Sequence, residues 1–133
     1  MSDTLTVRGL IATTPRRVTT SEGLEITSFR LASAQRRFDK ATGEWVDTST
    51  NWYTVTAFRN LAVNAFASLN KGDRITVTGR LKIRDWQTDD RTGTNVEIEA
   101  ETLGHDLFWC TAEAKRVVVS NAHALVTAEA TAE

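Results

Sequence analysis

Apolar and polar positions alternate along most of this chain. Val7, Gly9 and Ile11 stand between polar or small neighbours, as do Phe29 and Leu31, then Tyr53, Val55 and Ala57. The same spacing returns in Ile75, Val77, Gly79, Leu81 and Ile83, and again in Val96, Ile98 and Ala100. A period of two sends successive side chains to opposite faces of an extended backbone, so the pattern predicts five strands, each with one packed face and one wet face. Threonine and valine are common within them, and β-branched residues suit a pleated, half-buried surface. The period changes once, where Leu61, Ala65, Phe66 and Leu69 fall on one side of a helix of about three turns. Asn60 is its expected N-cap, and Gly72 in Asn70-Lys71-Gly72-Asp73 its expected stop. Lys40-Ala41-Thr42-Gly43 and Asp89-Asp90-Arg91-Thr92-Gly93 separate strands and belong at hairpin tips. The predicted fold is therefore all-β: a five-stranded Greek-key barrel with one helix between strands 3 and 4. That arrangement is the OB-fold, whose open face and loops commonly take oligonucleotides.

Length and composition change this picture little. At 133 residues, 41% hydrophobic and 25% charged, the chain has the balance of a single soluble globular domain. Its longest apolar runs fall far short of the roughly 20 residues of a membrane span, and Met1-Ser2-Asp3-Thr4 lacks the basic and apolar regions of a signal peptide. The expectation is a cytoplasmic protein. No repeat is visible, and the single proline, Pro15, marks no linker. One cysteine, Cys110, makes no internal disulfide, and with only His105 and His123 beside it there is no zinc-like spacing; it is expected to be a small buried residue. A P-loop, a Gly-x-Ser-x-Gly turn, a paired-histidine metal motif and a Cys/His nucleophile spacing are all missing. The sequence thus argues for a binding protein, not an enzyme, and for no cofactor or metal.

Charge narrows the kind of binding. A net charge of −1 excludes attachment to nucleic acid by bulk positive charge, so any such surface must be local. Arg30, Arg36, Arg37, Arg80, Lys82 and Arg84 gather in two segments, while Asp89, Asp90, Glu97, Glu99 and Glu101 gather later. If Tyr53, Val55 and Ala57 face the barrel interior, alternation forces Trp52, Thr54, Thr56 and Phe58 outward. The same parity sends Ile75, Val77, Leu81 and Ile83 inward and turns Arg80, Lys82, Arg84 and Trp86 outward. Arg30 belongs to the wet face of the second strand, and Arg36 and Arg37 lie where it enters its hairpin. A face bearing cations and flat rings suits unpaired nucleic acid, because every base has a π-face and cations track phosphates. A tryptophan also serves to cap a barrel end or fill a subunit contact.

These residues resemble a known family, the bacterial single-stranded DNA-binding proteins, over residues 4 to about 104. The resemblance is carried by Phe29-Arg30-Leu31-Ala32-Ser33, by Asp39-Lys40-Ala41-Thr42-Gly43-Glu44, by Asn51-Trp52-Tyr53-Thr54-Val55-Thr56-Ala57-Phe58, by Leu69-Asn70-Lys71-Gly72-Asp73 and by Thr78-Gly79-Arg80-Leu81-Lys82-Ile83-Arg84-Asp85-Trp86. It implies an OB-fold working as a homotetramer, with single-stranded DNA as partner, base stacking on Trp52, Phe58 and Trp86, and a role in replication, recombination and repair. Many members place a further stacking tryptophan just before the Asp-Lys of the hairpin. This chain has Arg37 and Phe38 there, and Phe38, or Trp45 farther along, is the candidate substitute. Typical members also continue into a glycine- and proline-rich tail with an acidic tip that recruits other enzymes, and the sequence to Glu133 shows neither, which puts recruitment in doubt and suggests a shortened paralogue.

The expected organisation is an OB domain over residues 1–104 and a partly ordered extension over 105–133. Within the extension, His105-Asp106-Leu107-Phe108-Trp109 resembles the continuation in actinobacterial members. Val117-Val118-Val119 is a candidate for one more strand or a clamp between subunits, Trp109 is expected to pack, and the alanine- and glutamate-rich stretch from Ala122 onward is expected to fray. The alternative function is an OB-fold protein-interaction subunit with little DNA affinity. Stacking alone leaves the choice between DNA and RNA open.

Overall fold

A computed structural model describes residues 1–118. Six strands, β1 (Asp3–Ile11), β2 (Arg16–Thr19), β3 (Glu25–Asp39), β4 (Glu44–Phe58), β5 (Arg74–Gln87) and β6 (Thr92–His105), surround one helix, α1 (Arg59–Ser68), set between β4 and β5. They form one sheet in the order β1-β5-β6-β4-β3-β2, and a short β1–β3 pairing, Leu10 with Ala32 and Ile11 with Leu31, closes it into a barrel. The five long strands are those of the alternating pattern. β2 is an addition: four exposed residues laid along the edge of β3, too few to show a period of two.

Alternation places the core as expected. Ile11, Leu31, Val55, Ile75, Val77 and Ile98 are fully buried, with Val7, Phe29, Ala65 and Leu69 packed among them. α1 packs through Ala62 and Ala65, and the buried Thr27 hydroxyl donates 2.7 Å to the Ala62 carbonyl, tying the helix to β3. The strand runs into the helix without a linker. Phe58 therefore occupies the N-cap with no side-chain hydrogen bond, and Asn60, the expected cap, lies inside the first turn. Arg59 makes the corner at φ +61°, a backbone state that costs a non-glycine residue energy. Phe66 was expected on the packed side but is exposed, beneath the Arg17 guanidinium 5.9 Å away, because the two buried alanines bring α1 close along a narrower stripe.

β3–β4 and β5–β6 outrun the barrel as two-stranded ribbons. A ribbon has no second layer to bury a face against, and this corrects one expectation: Ile83 has inward parity yet is 62% exposed, and Leu81 is only partly buried. The first ribbon turns at Lys40–Gly43 as predicted, with Gly43 at φ +72°. The second turns at residues 88–91, so Thr92 and Gly93 already belong to β6.

Where β5 crosses β6, a register shift lies between Thr78 and Gly79. A Cβ on Gly79 would collide with the Glu99 carbonyl oxygen and stand 2.9 Å from the Ala100 Cα, both backbone atoms that cannot swing aside. Gly79→Ala should therefore cost about 1–3 kcal/mol of stability as the strands are forced apart, read as a lowered midpoint in urea; an unchanged midpoint would mean that β6 yields freely there.

Beyond β6 the chain folds back on the barrel. Asp106 pairs with Arg8 at 3.4 Å, and the Trp109 ring lies 4.1 Å from the Arg74 guanidinium and edge-on to Phe108. Trp109 thus packs, though half of it stays exposed. Cys110 is exposed, contrary to expectation, because residues 106–110 form a surface turn with no layer above it. Val117 and Val118 are exposed and outside any strand. Val119, His123 and the alanine-rich stretch lie outside the described residues.

Candidate nucleic-acid interface

The outer face of the barrel is assembled by register. β3 sets Arg30 opposite Thr54 and Ala32 opposite Trp52. Arg30 donates to the Thr54 hydroxyl at 2.8 Å, and its guanidinium lies 5.7 Å from the Trp52 ring centre. The small Ala32 leaves the Trp52 ring room, and 49% of it remains exposed. Thr56 and Phe58 continue the same face, Phe58 half-buried opposite Ile26. The expected β4 row is therefore present, with Arg30 beside it.

The hairpin brings a surprise of parity. Gln35 pairs with Ser49, but Arg36 pairs with Asp47, so Thr48 is a bulged residue without a partner, its hydroxyl donating to the Gln35 carbonyl. One extra residue in β4 flips every side chain beyond it. Trp45 and Asp47, which unbroken alternation would send to the other side, join Phe38 and Arg36 on the Trp52 face. Phe38 and Trp45 meet edge to face at 5.4 Å, with Trp45 65% exposed. Arg36 pairs with Asp47 at 3.1 Å. Arg37, expected on the same surface, points by alternation to the opposite side of the ribbon, across from Val46. Trp86 ends β5 across from Gly93, its ring laid where a Gly93 side chain would otherwise be, and is 40% exposed.

A barrel of this fold and sequence matches known proteins. The model of the Single-strand binding protein family matches residues 3–106. The chain belongs to the single-strand binding protein family. A relative named single-stranded DNA-binding protein 2, from Tropheryma whipplei, is 52% identical over 107 residues, covering 80% of this chain and 70% of the relative. The crystal structure of a small single-stranded DNA-binding protein from Streptomyces coelicolor superposes with a TM-score of 0.75 at 38% identity, over 81% of this chain and 97% of that one. The second single-stranded DNA-binding protein of Mycobacterium smegmatis gives 0.65 at 31% identity, over 86% and 99%. The actinobacterial resemblance of the sequence is thereby borne out.

Within this family fold, the β5 cations are not displayed as freely as the sequence suggests. β6 lies between β5 and β4, parallel to β4 with Thr54 beside Glu97 and Thr56 beside Glu99. Its outward glutamates meet the β5 row: Arg80 and Lys82 stand 3.0 and 2.9 Å from Glu99, and Arg84 3.3 Å from Glu97. The hydrogen bond from Lys82, aided by the Arg80 charge, holds the Glu99 carboxyl below its ordinary value despite some desolvation. Arg17 and Thr19 do the same to Glu25 at the β2 edge. Arg30 differs, meeting a hydroxyl and a ring in place of a carboxylate. Among the described residues no group of three or more His, Cys, Asp or Glu side chains is placed to hold a metal ion, and no helix is long and apolar enough to cross a membrane.

Proposed function

We propose that the chain binds single-stranded DNA without sequence specificity and keeps it unpaired in the cytoplasm during replication, recombination and repair. The observation that carries this reading is the row of rings on one face: the exposed Trp52 and half-buried Phe58 on β4, the exposed Phe38 and Trp45 on the hairpin, and the exposed Trp86 at the end of β5. Rings spaced along a strand stack on successive bases whatever their identity. Thr54, Thr56, Arg30 and Arg36 supply polar contacts between the rings, and Arg80, Lys82 and Arg84 line the far side. Arg37, on the reverse of the ribbon, contributes only to a strand that passes around it. Arg30 is the primary phosphate contact, since among the described residues it meets a hydroxyl and a ring and no carboxylate.

A homotetramer fits the same reading. The edge of β1 from Asp3 to Gly9 that does not face β5 is unpaired among the described residues, and an open edge invites a second copy. Beside it a cleft of about 790 Å³ runs between β1 and the base of the β3–β4 ribbon, where Leu5, Ala34 and Tyr53 lie among polar side chains that include Arg8, Gln35 and Asn51. A second copy covering it would bury these apolar side chains and meet the polar ones with its own hydrogen-bonding groups.

The test is tryptophan fluorescence during titration with oligothymidylate and, separately, a matched duplex, at two salt concentrations. Quenching by the single strand alone, weakened by salt, is the expected result. The absence of both quenching and binding would overturn the reading.

A further inference from the structure

Three rows of side chains cross the outer face in the order the sheet imposes. β4 carries Trp52, Thr54, Thr56 and Phe58, β6 carries Glu97 and Glu99, and β5 carries Arg80, Lys82 and Arg84. The acidic row falls between the other two because β6 is hydrogen-bonded to both strands. Both oxygens of Glu99 are occupied, Oε1 by Arg80 and Oε2 by Lys82, while Glu97 Oε2 holds Arg84. The same carboxylates share a cleft of about 240 Å³ with Thr56 and Phe58, where the phosphate of a nucleotide stacked on Phe58 would arrive.

We infer that Glu97 and Glu99 set the affinity of the single-strand site by occupying, as internal phosphate mimics, the cations that a DNA backbone would use. The inference rests on the reading of this face as the DNA site. An incoming phosphodiester exchanges one ion pair for another, so the β5 cations release few counterions and add little to binding. The displaced carboxylate stays beside the phosphate and repels it. Carboxylates meant to read the amino groups of bases would keep their oxygens open, as acceptors for cytosine N4 do; both oxygens of Glu99 are instead turned to cations. The arrangement favours ready release of the strand over tight hold.

Glu99→Gln and Glu97→Gln test this. The ion pairs are partly exposed and contribute little to folding, so both variants should unfold as the parent does. At about 50 mM salt, Glu99→Gln should bind oligothymidylate roughly tenfold tighter, with the slope of log K against log salt steeper by about 0.7 for each cation freed. Glu97→Gln, which frees Arg84 alone, should show a smaller gain of the same sign, and it carries the test if Glu99→Gln fails to fold. Oligodeoxycytidylate should give the same ratios. A parent that binds beside variants that bind no tighter, or variants weakened selectively toward oligodeoxycytidylate, would overturn the inference and leave the DNA-binding reading standing. A parent that binds no single strand would overturn both.

Discussion

Trp52→Ala is expected to weaken binding to single-stranded DNA by about 1–3 kcal/mol, a factor of roughly 5 to 150 in Kd. The ring is half exposed on the outer face, and its near side is fixed by Arg30 above the small Ala32. Removing it deletes one stacking platform without opening the core, since Arg30 keeps its hydrogen bond to Thr54. Stability should therefore change by no more than about 0.5 kcal/mol. Trp52→Phe, which keeps a flat ring, should recover much of the loss. Anisotropy of a labelled oligothymidylate measures both without relying on the tryptophan that is removed. An unchanged Kd for the alanine variant would take Trp52 off the binding face.

Leu31→Ala should act in the opposite manner, lowering stability by about 2–5 kcal/mol while leaving every exposed ring in place. Leu31 is fully buried and sits at the seam of the barrel, paired with Ile11 on one side and Tyr53 on the other. Its side chain also packs against Gly9, where an added Cβ would stand 3.0 Å from the Leu31 Cγ. The seam is crowded by backbone and cannot collapse to fill the space that alanine leaves. Against a total stability of about 5–15 kcal/mol such a loss is large, and it will be plain in a urea unfolding curve. Ile83→Ala, at a position of the same strand parity but exposed on a ribbon, should stay within about 0.5 kcal/mol of the parent. If the two variants lost stability equally, the division between barrel and ribbon would be wrong.

That division marks where reading the sequence stops. Alternation told inside from outside wherever a strand lies on the barrel, so Val55, Ile75, Val77 and Ile98 are buried and Trp52, Arg80 and Lys82 are not. It erred at Ile83 because parity states which way a side chain points, and not whether anything covers it. It placed Phe66 in the core because a helical stripe shows which residues share a side, and not how wide the contact is. Trp45, which unbroken alternation would send to the other side, joins Phe38 on the Trp52 face because of the bulge at Thr48, and a bulge leaves no mark in the spacing of apolar residues.

The four-residue β2 was too short to show a period, whereas the five long strands, the one helix and the residue types on the wet face followed from local periodicity and chain order, which are properties of short segments. The neighbour order of strands did not. Glu97 and Glu99 are separated in sequence from Arg80, Lys82 and Arg84, and the two sets read there as separate acidic and basic stretches; the sheet sets β6 between β5 and β4 and turns them into ion pairs in the middle of the candidate site. Charge acts through distance, and only the closed barrel decides which charges lie within 3 to 4 Å of one another.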